Sequence, residues 1–275
     1  MYARSGARKV RRSMSAARLG QVVGTLQRKR WVSPDSCLLR FTLPDETPTL
    51  GLPAPSGVKV HGKSYSPISL PDARGYVDLL VKSYASHGAS DGAAVGEYLC
   101  TREVGETVEF HKKAPRDIHG SAVLGGRWRH VGLIGGGTGV APLIQIARSL
   151  LADASERARV HMLAIHRTVE DILMKAELDA FAAANPDRLR VSYALTEPDS
   201  AWTGGAGRGD VGMLRAAGLS DGLTDEATMC FVCGTAGFVD HWAGGIERVD
   251  GRKVQGTLRG VLSQAGFDAS QVYKF

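Results

Sequence analysis

Apolar and polar positions follow two different rhythms along the chain. Through the first 111 residues they fall in short runs rich in β-branched and aromatic residues, bounded by Gly, Pro, Asp and Ser. The runs are Val22–Trp31, Cys37–Leu43, Val58–His61, Tyr65–Leu70, Tyr76–Tyr84 and Thr107–His111. Segments of that length and composition predict strands. A brief helix is expected at Gly96-Glu-Tyr-Leu-Cys100. Six short strands with one small helix point to an antiparallel β-barrel.

Gly120-Ser-Ala-Val-Leu-Gly-Gly126 reads as a linker, and after it the rhythm changes. Strands are predicted at His130–Ile134, Arg159–Ile165, Leu189–Leu195 and Ala227–Cys233. Helices are predicted at Ala141–Leu151, Leu173–Ala184, Val211–Ala217 and Val254–Ala265. Such alternation predicts a doubly wound parallel α/β domain with helices on both faces of its sheet. The expected organisation is a basic segment over 1–19, a β-barrel domain over 20–119, a linker over 120–129 and an α/β domain over 130–275.

Composition adds limits. Hydrophobic residues make up 43% and charged residues 23% of the 275 positions, which is ordinary for a globular chain. No run approaches the roughly 20 apolar residues that span a bilayer. The net charge of +6 is uneven. Residues 1–34 hold nine Lys and Arg and no acid, so the rest of the chain is slightly acidic. Binding of nucleic acid by the folded part therefore gains little support. The first 18 residues are rich in Arg, Ser and Ala and lack a secretory apolar stretch. That suits a mitochondrial targeting peptide, or else a basic tail for a partner or an anionic lipid. Four irregularly spaced cysteines suggest no disulfide framework. No metal site is expected, because Cys230 and Cys233 lack the second pair that zinc needs. His111, His161 and His166 show no partner pattern and read as structural.

The most informative stretch is Val131-Gly-Leu-Ile-Gly-Gly-Gly-Thr-Gly-Val-Ala-Pro142. An apolar strand runs into glycines and then a helix, whose free N–H groups and positive dipole end suit a pyrophosphate. Pro142 suits a first helical turn. The usual G-x-G-x-x-G spacing is absent, since Val140 stands at its last position, and no acid follows the next strand, which ends Ile165-His-Arg-Thr168.

The run Gly135-Gly-Gly-Thr-Gly-Val-Ala-Pro142 resembles instead the G-G-T-G-[IV]-[AT]-P motif of the ferredoxin–NADP reductase superfamily, and within it the NADH–cytochrome b5 reductases. Other segments agree in family order over about residues 20–275. Leu50-Gly-Leu-Pro53 is similar to the stretch before the flavin loop. Lys63-Ser-Tyr-Ser-Pro-Ile-Ser69 resembles the flavin motif R-x-Y-[ST]-x-x-S, and Asp78–Tyr84 the strand after it. Gly92-Ala-Ala-Val-Gly-Glu-Tyr-Leu99 resembles the diphosphate loop. Cys233-Gly-Thr-Ala-Gly237 resembles the C-G-x-x-x motif, and Gln271–Phe275 the aromatic ending.

The resemblance implies a flavoprotein reductase that takes hydride from NADH, with NADPH as a second possibility, onto FAD, and passes single electrons to a separate haem protein such as cytochrome b5. It implies catalytic roles for Ser66 near flavin N5, for Thr138 beside the nicotinamide and for Cys233 at its C4. Tyr65 would lie against the isoalloxazine within the flavin motif that also holds Lys63, Pro67 and Ser69. Val81, Lys82 and Tyr84 would border the flavin. Gly92, Val95, Gly96 and Glu97 would form the diphosphate loop. Gly135, Gly136, Gly137, Gly139 and Pro142, with Gly234 and Thr196, would hold the dinucleotide, and Phe275 would cover the ring. Read without the family, Lys82 is equally a solvent-facing lysine, Tyr84 a core residue, Cys233 a small buried residue and Phe275 a frayed end.

Three positions depart from the family pattern. Lys63 replaces an Arg and loses bidentate geometry, and Gly96 replaces a Ser or Thr whose hydroxyl would meet the diphosphate. Thr196 stands where NADH-specific members carry Asp, so a 2′-phosphate would not be repelled there and Arg167 is expected near it, while Glu197 would act against it. Two other readings therefore stay open: a redox-degenerate structural subunit of a mitochondrial complex, and a reductase of free flavin or quinone.

Overall fold

The structure is a computed structural model that describes residues 20–84, 91–121, 124–219 and 227–275. The basic segment read over 1–19 lies outside them. The N-terminal part is a curled antiparallel sheet of six strands: β1 (Gln21–Ser33), β2 (Ser36–Thr42), β3 (Val58–Val60), β4 (Lys63–Tyr65), β5 (Tyr76–Lys82) and β6 (Thr107–Lys112), in the order β4-β3-β6-β1-β2-β5. Alternation builds it: Val22, Leu26, Leu39, Phe41, Val108 and Phe110 all turn inward and are buried. Phe41 and Phe110 meet edge to face at 5.0 Å. Gly24 lies beneath them, where a Cβ would come 2.6 Å from the Phe110 ring.

The strand predicted over Tyr65–Leu70 is shorter than expected. Pairing ends at Tyr65, and Pro67, which has no N–H, makes one antiparallel bridge to Leu79. The chain crosses there from one edge of the sheet to the other and helps close the curl. Helix α1 (Asp91–Thr101) is longer than predicted and packs its Val95, Leu99 and Cys100 into this core. Cys100 forms a disulfide with Cys37 of β2, with Cα atoms 6.4 Å apart. This corrects the expectation of no disulfide. A separation of 63 residues conceals the pair; it forms because β2 and α1 each turn one cysteine into the same core.

The C-terminal part is a parallel sheet: β7 (His130–Gly136), β8 (Arg159–His166), β9 (Leu189–Leu195), β10 (Gly205–Ala206), β11 (Thr228–Cys233) and β14 (Val272–Lys274), in the order β10-β9-β8-β7-β11-β14. Helices α2 (Val140–Ala152), α3 (Lys175–Ala184), α4 (Val211–Ala216), α5 (Ala236–Ala243) and α6 (Gly260–Gln264) cover its faces, with one apolar cluster on each side. Strand order reverses beside β7, so a crevice opens at the carboxyl ends of β7 and β11.

The helix predicted over Val254–Ala265 is mostly another structure. Its first residue ends an exposed hairpin of β12 (Glu247–Val249) and β13 (Arg252–Val254), and only α6 is helical. Gly256, at φ 57°, and Gly260 both lie where a Cβ would strike backbone carbonyls.

The two parts are joined by polar contacts from α2 and α3. Gln145 Oε1 accepts from the Ser56 N–H at 3.0 Å. Arg148 donates to the Ile68 carbonyl at 2.6 Å, and Arg30 pairs with Glu177.

Candidate functional site

A cleft of ≈ 640 Å³ opens between the two parts at this crevice. Its floor on the α/β side is the glycine turn. β7 ends in Gly136, one 3-10 turn follows at Gly137–Gly139, and α2 begins at Val140. The glycines do two kinds of work. A Cβ on Gly136 would meet the Phe238 ring at 2.6 Å, and one on Gly139 the Cys233 carbonyl at 2.3 Å, so these two permit close packing. Gly137 has φ 54° and open space around it. No side chain caps the N-terminus of α2. An uncapped helix start beside an open left-handed glycine fits a dinucleotide pyrophosphate.

Cys233 ends β11 across from Gly135. Its thiol is free, and burial pushes it up to about 12 despite the opposing charges of Arg116 and Lys253. It is a neutral thiol at physiological pH and shapes the cleft rather than attacking as a thiolate. Thr138, Pro142, Thr196 and Gly234 line the same cleft.

The barrel side contributes Lys63, Tyr65, Ser66, Lys82 and Tyr84. Burial, with Tyr84 nearby, pushes the Tyr65 phenol up to about 12, so it stays protonated. This half-buried ring beside Ser66 offers the apolar face and hydroxyl that an isoalloxazine needs. Lys82 is not a free cation: its Nζ pairs with Asp35 Oδ2 at 2.5 Å. Burial alone would raise the Asp35 pKa, but Lys82 and the Ser36 and Ser33 hydroxyls hold it below the usual carboxylate range.

Phe275 borders the cleft and is held in place. Its N–H donates to the Val232 carbonyl at 3.0 Å, and Arg116 stacks over its ring at 4.7 Å. Lys274, 3% exposed, reaches the carbonyls of Ala243, Gly245, Gly256 and Thr257 at 3.1–3.4 Å. The Gln255 amide brackets the Lys274 backbone on both sides.

Several expected site residues do other work. Ser69 is buried and accepts from the Asp78 N–H. Pro67 bridges to Leu79, and Val81 and Val95 belong to the barrel core. Gly135 packs on Leu143 and Val140. A Cβ on Gly96 would meet the Lys82 carbonyl at 2.2 Å, so this glycine lets α1 lie against β5 and a Ser or Thr would not fit there. Glu97 accepts at its carbonyl from Thr101. Gly92 stands in the first turn of α1.

Other lining residues escaped the sequence: Asp35, Arg116, Asp171, Phe238 and His166. His166 was expected to be merely structural. It is 4% exposed, and its Nε2 has no hydrogen-bond partner. Its position directly after the apolar run of β8 was the available signal. Arg167 is steered by Asp171, Nε to Oδ2 at 3.0 Å.

Comparison with known proteins agrees with this geometry. Residues 23–115 match the model of an oxidoreductase FAD-binding domain, and residues 133–243 that of an oxidoreductase NAD-binding domain. NADH-cytochrome b5 reductase 2 of Chaetomium globosum is 30% identical over 97% of this chain and 75% of its own length. NADH-cytochrome b5 reductase 1 of Meyerozyma guilliermondii is 35% identical over 65% of this chain and 62% of its own length. Among solved structures, the cytochrome b5 reductase domain of Ulva prolifera nitrate reductase superposes with a TM-score of 0.74 at 25% identity, covering 93% of this chain and 97% of that one.

Proposed function

The chain belongs to the NADH-cytochrome b5 reductase family of FAD- and NAD-binding oxidoreductases, and from that we propose that it carries electrons from NADH through FAD to a separate haem protein such as cytochrome b5. One observation supports this above the rest. The Tyr65–Ser66 wall of the barrel and the Gly136–Gly139 turn of the α/β part face a single cleft, so a flavin and a nicotinamide held there would meet without domain movement.

Bound FAD supplies acceptance of a hydride and release of single electrons. The chain's residues supply alignment. Tyr65 would pack against the ring face with the Ser66 hydroxyl beside it, and Thr138 and the neutral Cys233 would set the approach of the nicotinamide. Phe275, pinned by Arg116, stands at the edge of the cleft. Thr196 presents no charge to the adenosine end.

A protein acceptor is favoured by a cluster of cations, one of which, Arg116, lines the cleft. Lys113 is half-buried and pushed down to about 8, by burial first and then by Arg116, Lys59 and Lys253. These four come from both parts of the chain, and their summed field would attract an acidic partner. The basic residues 1–18 support a mitochondrial location, and a fluorescent fusion of residues 1–34 to a reporter tests it.

The decisive measurement is reconstitution with FAD. Flavin absorbance, bleaching by NADH and rapid reduction of cytochrome b5 are expected. A protein that takes up no flavin is the degenerate scaffold, a reading fed by the engagement of Lys82 with Asp35. Faster turnover with free flavin or quinone than with cytochrome b5 would point to the small-acceptor reductase.

A further inference from the structure

Helix α2 reaches both walls of the cleft. Its first residue, Val140, continues from the turn that holds Thr138. Eight residues on, about 12 Å along a helix, Arg148 donates from Nη1 to the Ile68 carbonyl at 2.6 Å. Ile68 follows Ser66 by two residues, and Tyr65 and Ser66 line the cleft opposite Thr138. One rigid element thus connects the glycine turn to the backbone of the opposing wall.

That backbone is already secured in other ways. The Ile68 N–H donates to the Asp78 carbonyl at 2.9 Å, and the Ser69 hydroxyl accepts from the Asp78 N–H at 3.2 Å. The Ile68 side chain is 1% exposed and lies in one apolar cluster with Leu143, Ile144 and Ala147 of α2. Cohesion of the two parts therefore has ample apolar support. The guanidinium adds a cost: burial holds its pKa below the ordinary arginine value, against the pull of Asp78, Tyr76 and Glu177. What the cation gives in return is direction. A short charge-assisted bond from a planar donor fixes where the carbonyl lies along the helix, which apolar contact does not. Hydride transfer depends steeply on such placement, because a shift of about 1 Å can cost on the order of a hundredfold in rate.

We propose that Arg148 is a positioning residue for hydride transfer: by holding the Ile68 carbonyl to α2, it sets the Tyr65–Ser66 wall at the working distance from the glycine turn. The inference rests on the reading of the cleft as a flavin and nicotinamide site, and the test keeps the two apart.

The full chain is compared with Arg148→Met, which keeps an apolar stem, and with Arg148→Lys, which restores a cationic donor. Without flavin, ¹³C-carbonyl isoleucine and ¹⁵N-serine mark a single peptide bond, Ile68–Ser69. Its ¹³C signal should move in Arg148→Met. With saturating FAD, the limiting rate of flavin bleaching by NADH in stopped flow should fall at least about tenfold in Arg148→Met. The long-wavelength absorbance that stacked flavin and nicotinamide rings produce should fall with it. Dissociation constants for FAD and NAD⁺ should stay within about twofold, and Arg148→Lys should recover most of the rate. If Arg148→Met does not fold, Arg148→Gln, whose amide is too short to reach the carbonyl, takes its place with the same expectations. An unmoved Ile68 signal, or normal bleaching by a variant whose Ile68 signal has moved, overturns the proposal and leaves the reading of the cleft intact. A slower rate matched by equal losses of FAD and NAD⁺ affinity, or one that Arg148→Lys does not recover, makes Arg148 a structural residue and also overturns it. If the wild type takes up no FAD, or its flavin is not bleached by NADH, the reading of the cleft fails, and this inference with it.

Discussion

Lys82 and Asp35 face each other at 2.5 Å on the barrel wall of the cleft, although 47 residues separate them in sequence. Asp35 thereby engages the cation that the family resemblance assigns to the flavin. Asp35→Asn is expected to free Lys82 and tighten FAD binding several-fold, and Lys82→Ala to weaken it. Fluorescence titration of the flavin measures both; looser binding by Asp35→Asn would show that the pair holds the wall in shape instead.

The glycine turn separates packing from ligand contact. Gly139→Ala would drive a methyl onto the Cys233 carbonyl and should destabilise the protein by about 2–4 kcal/mol, as overpacking does at its severe end. Gly137→Ala has room for the methyl but a left-handed φ, which costs about 1 kcal/mol. Its main effect should be a KM for NADH raised about tenfold or more, through the lost approach of the pyrophosphate. Thermal melts and steady-state rates distinguish the two.

The Cys37–Cys100 bond ties α1 to β2. Thiol counting on the native protein should find two reactive groups after unfolding without reductant, Cys230 and Cys233, and four after reduction. Cys37→Ser should lower stability by about 2–4 kcal/mol in chemical denaturation. Four thiols without reductant would refute the bond.

Acidification should destabilise the fold through His166. Its folded pKa of about 4 lies below the unfolded value near 6.5, so the unfolded chain binds the extra proton first. Stability is then full above pH 6.5 and falls as pH drops toward 4, by roughly 3 kcal/mol for this group. Urea midpoints between pH 7 and pH 4 should show that slope in the wild type and a shallower one in His166→Asn.

The cationic rim predicts a salt-sensitive acceptor rate. Lys113→Glu with Lys253→Glu should raise the KM for cytochrome b5 several-fold and flatten its dependence on ionic strength. The rate with a neutral quinone should hardly change. Equal losses with both acceptors would place these lysines in the fold rather than at a docking face.

Much of the architecture was readable because it rests on local pattern. Alternation gave most barrel strands, and the strand-to-glycine-to-helix junction at Gly135–Pro142 located the turn. The misses share a cause. Lys82 read as a free cation because Asp35 reaches it only through the pairing of β2 with β5. Gly96 read as a lost phosphate contact because the Lys82 carbonyl that excludes a side chain there is a tertiary neighbour. Cys37 and Cys100, and the unpartnered nitrogen of His166, are likewise products of packing. The predicted helix over Val254–Ala265 failed for the opposite reason: Gly256 and Gly260 were visible breakers that the apolar pattern overrode.

Helix α2 begins at the dinucleotide turn, and its Gln145 and Arg148 grip the Ser56 and Ile68 backbones of the other part. A chimera built with a relative should therefore not be joined at the glycine-rich linker alone. A functional splice has to carry the Ala54–Gly57 and Pro67–Ser69 segments together with α2, because the unit of exchange here is a contact set and not a stretch of chain.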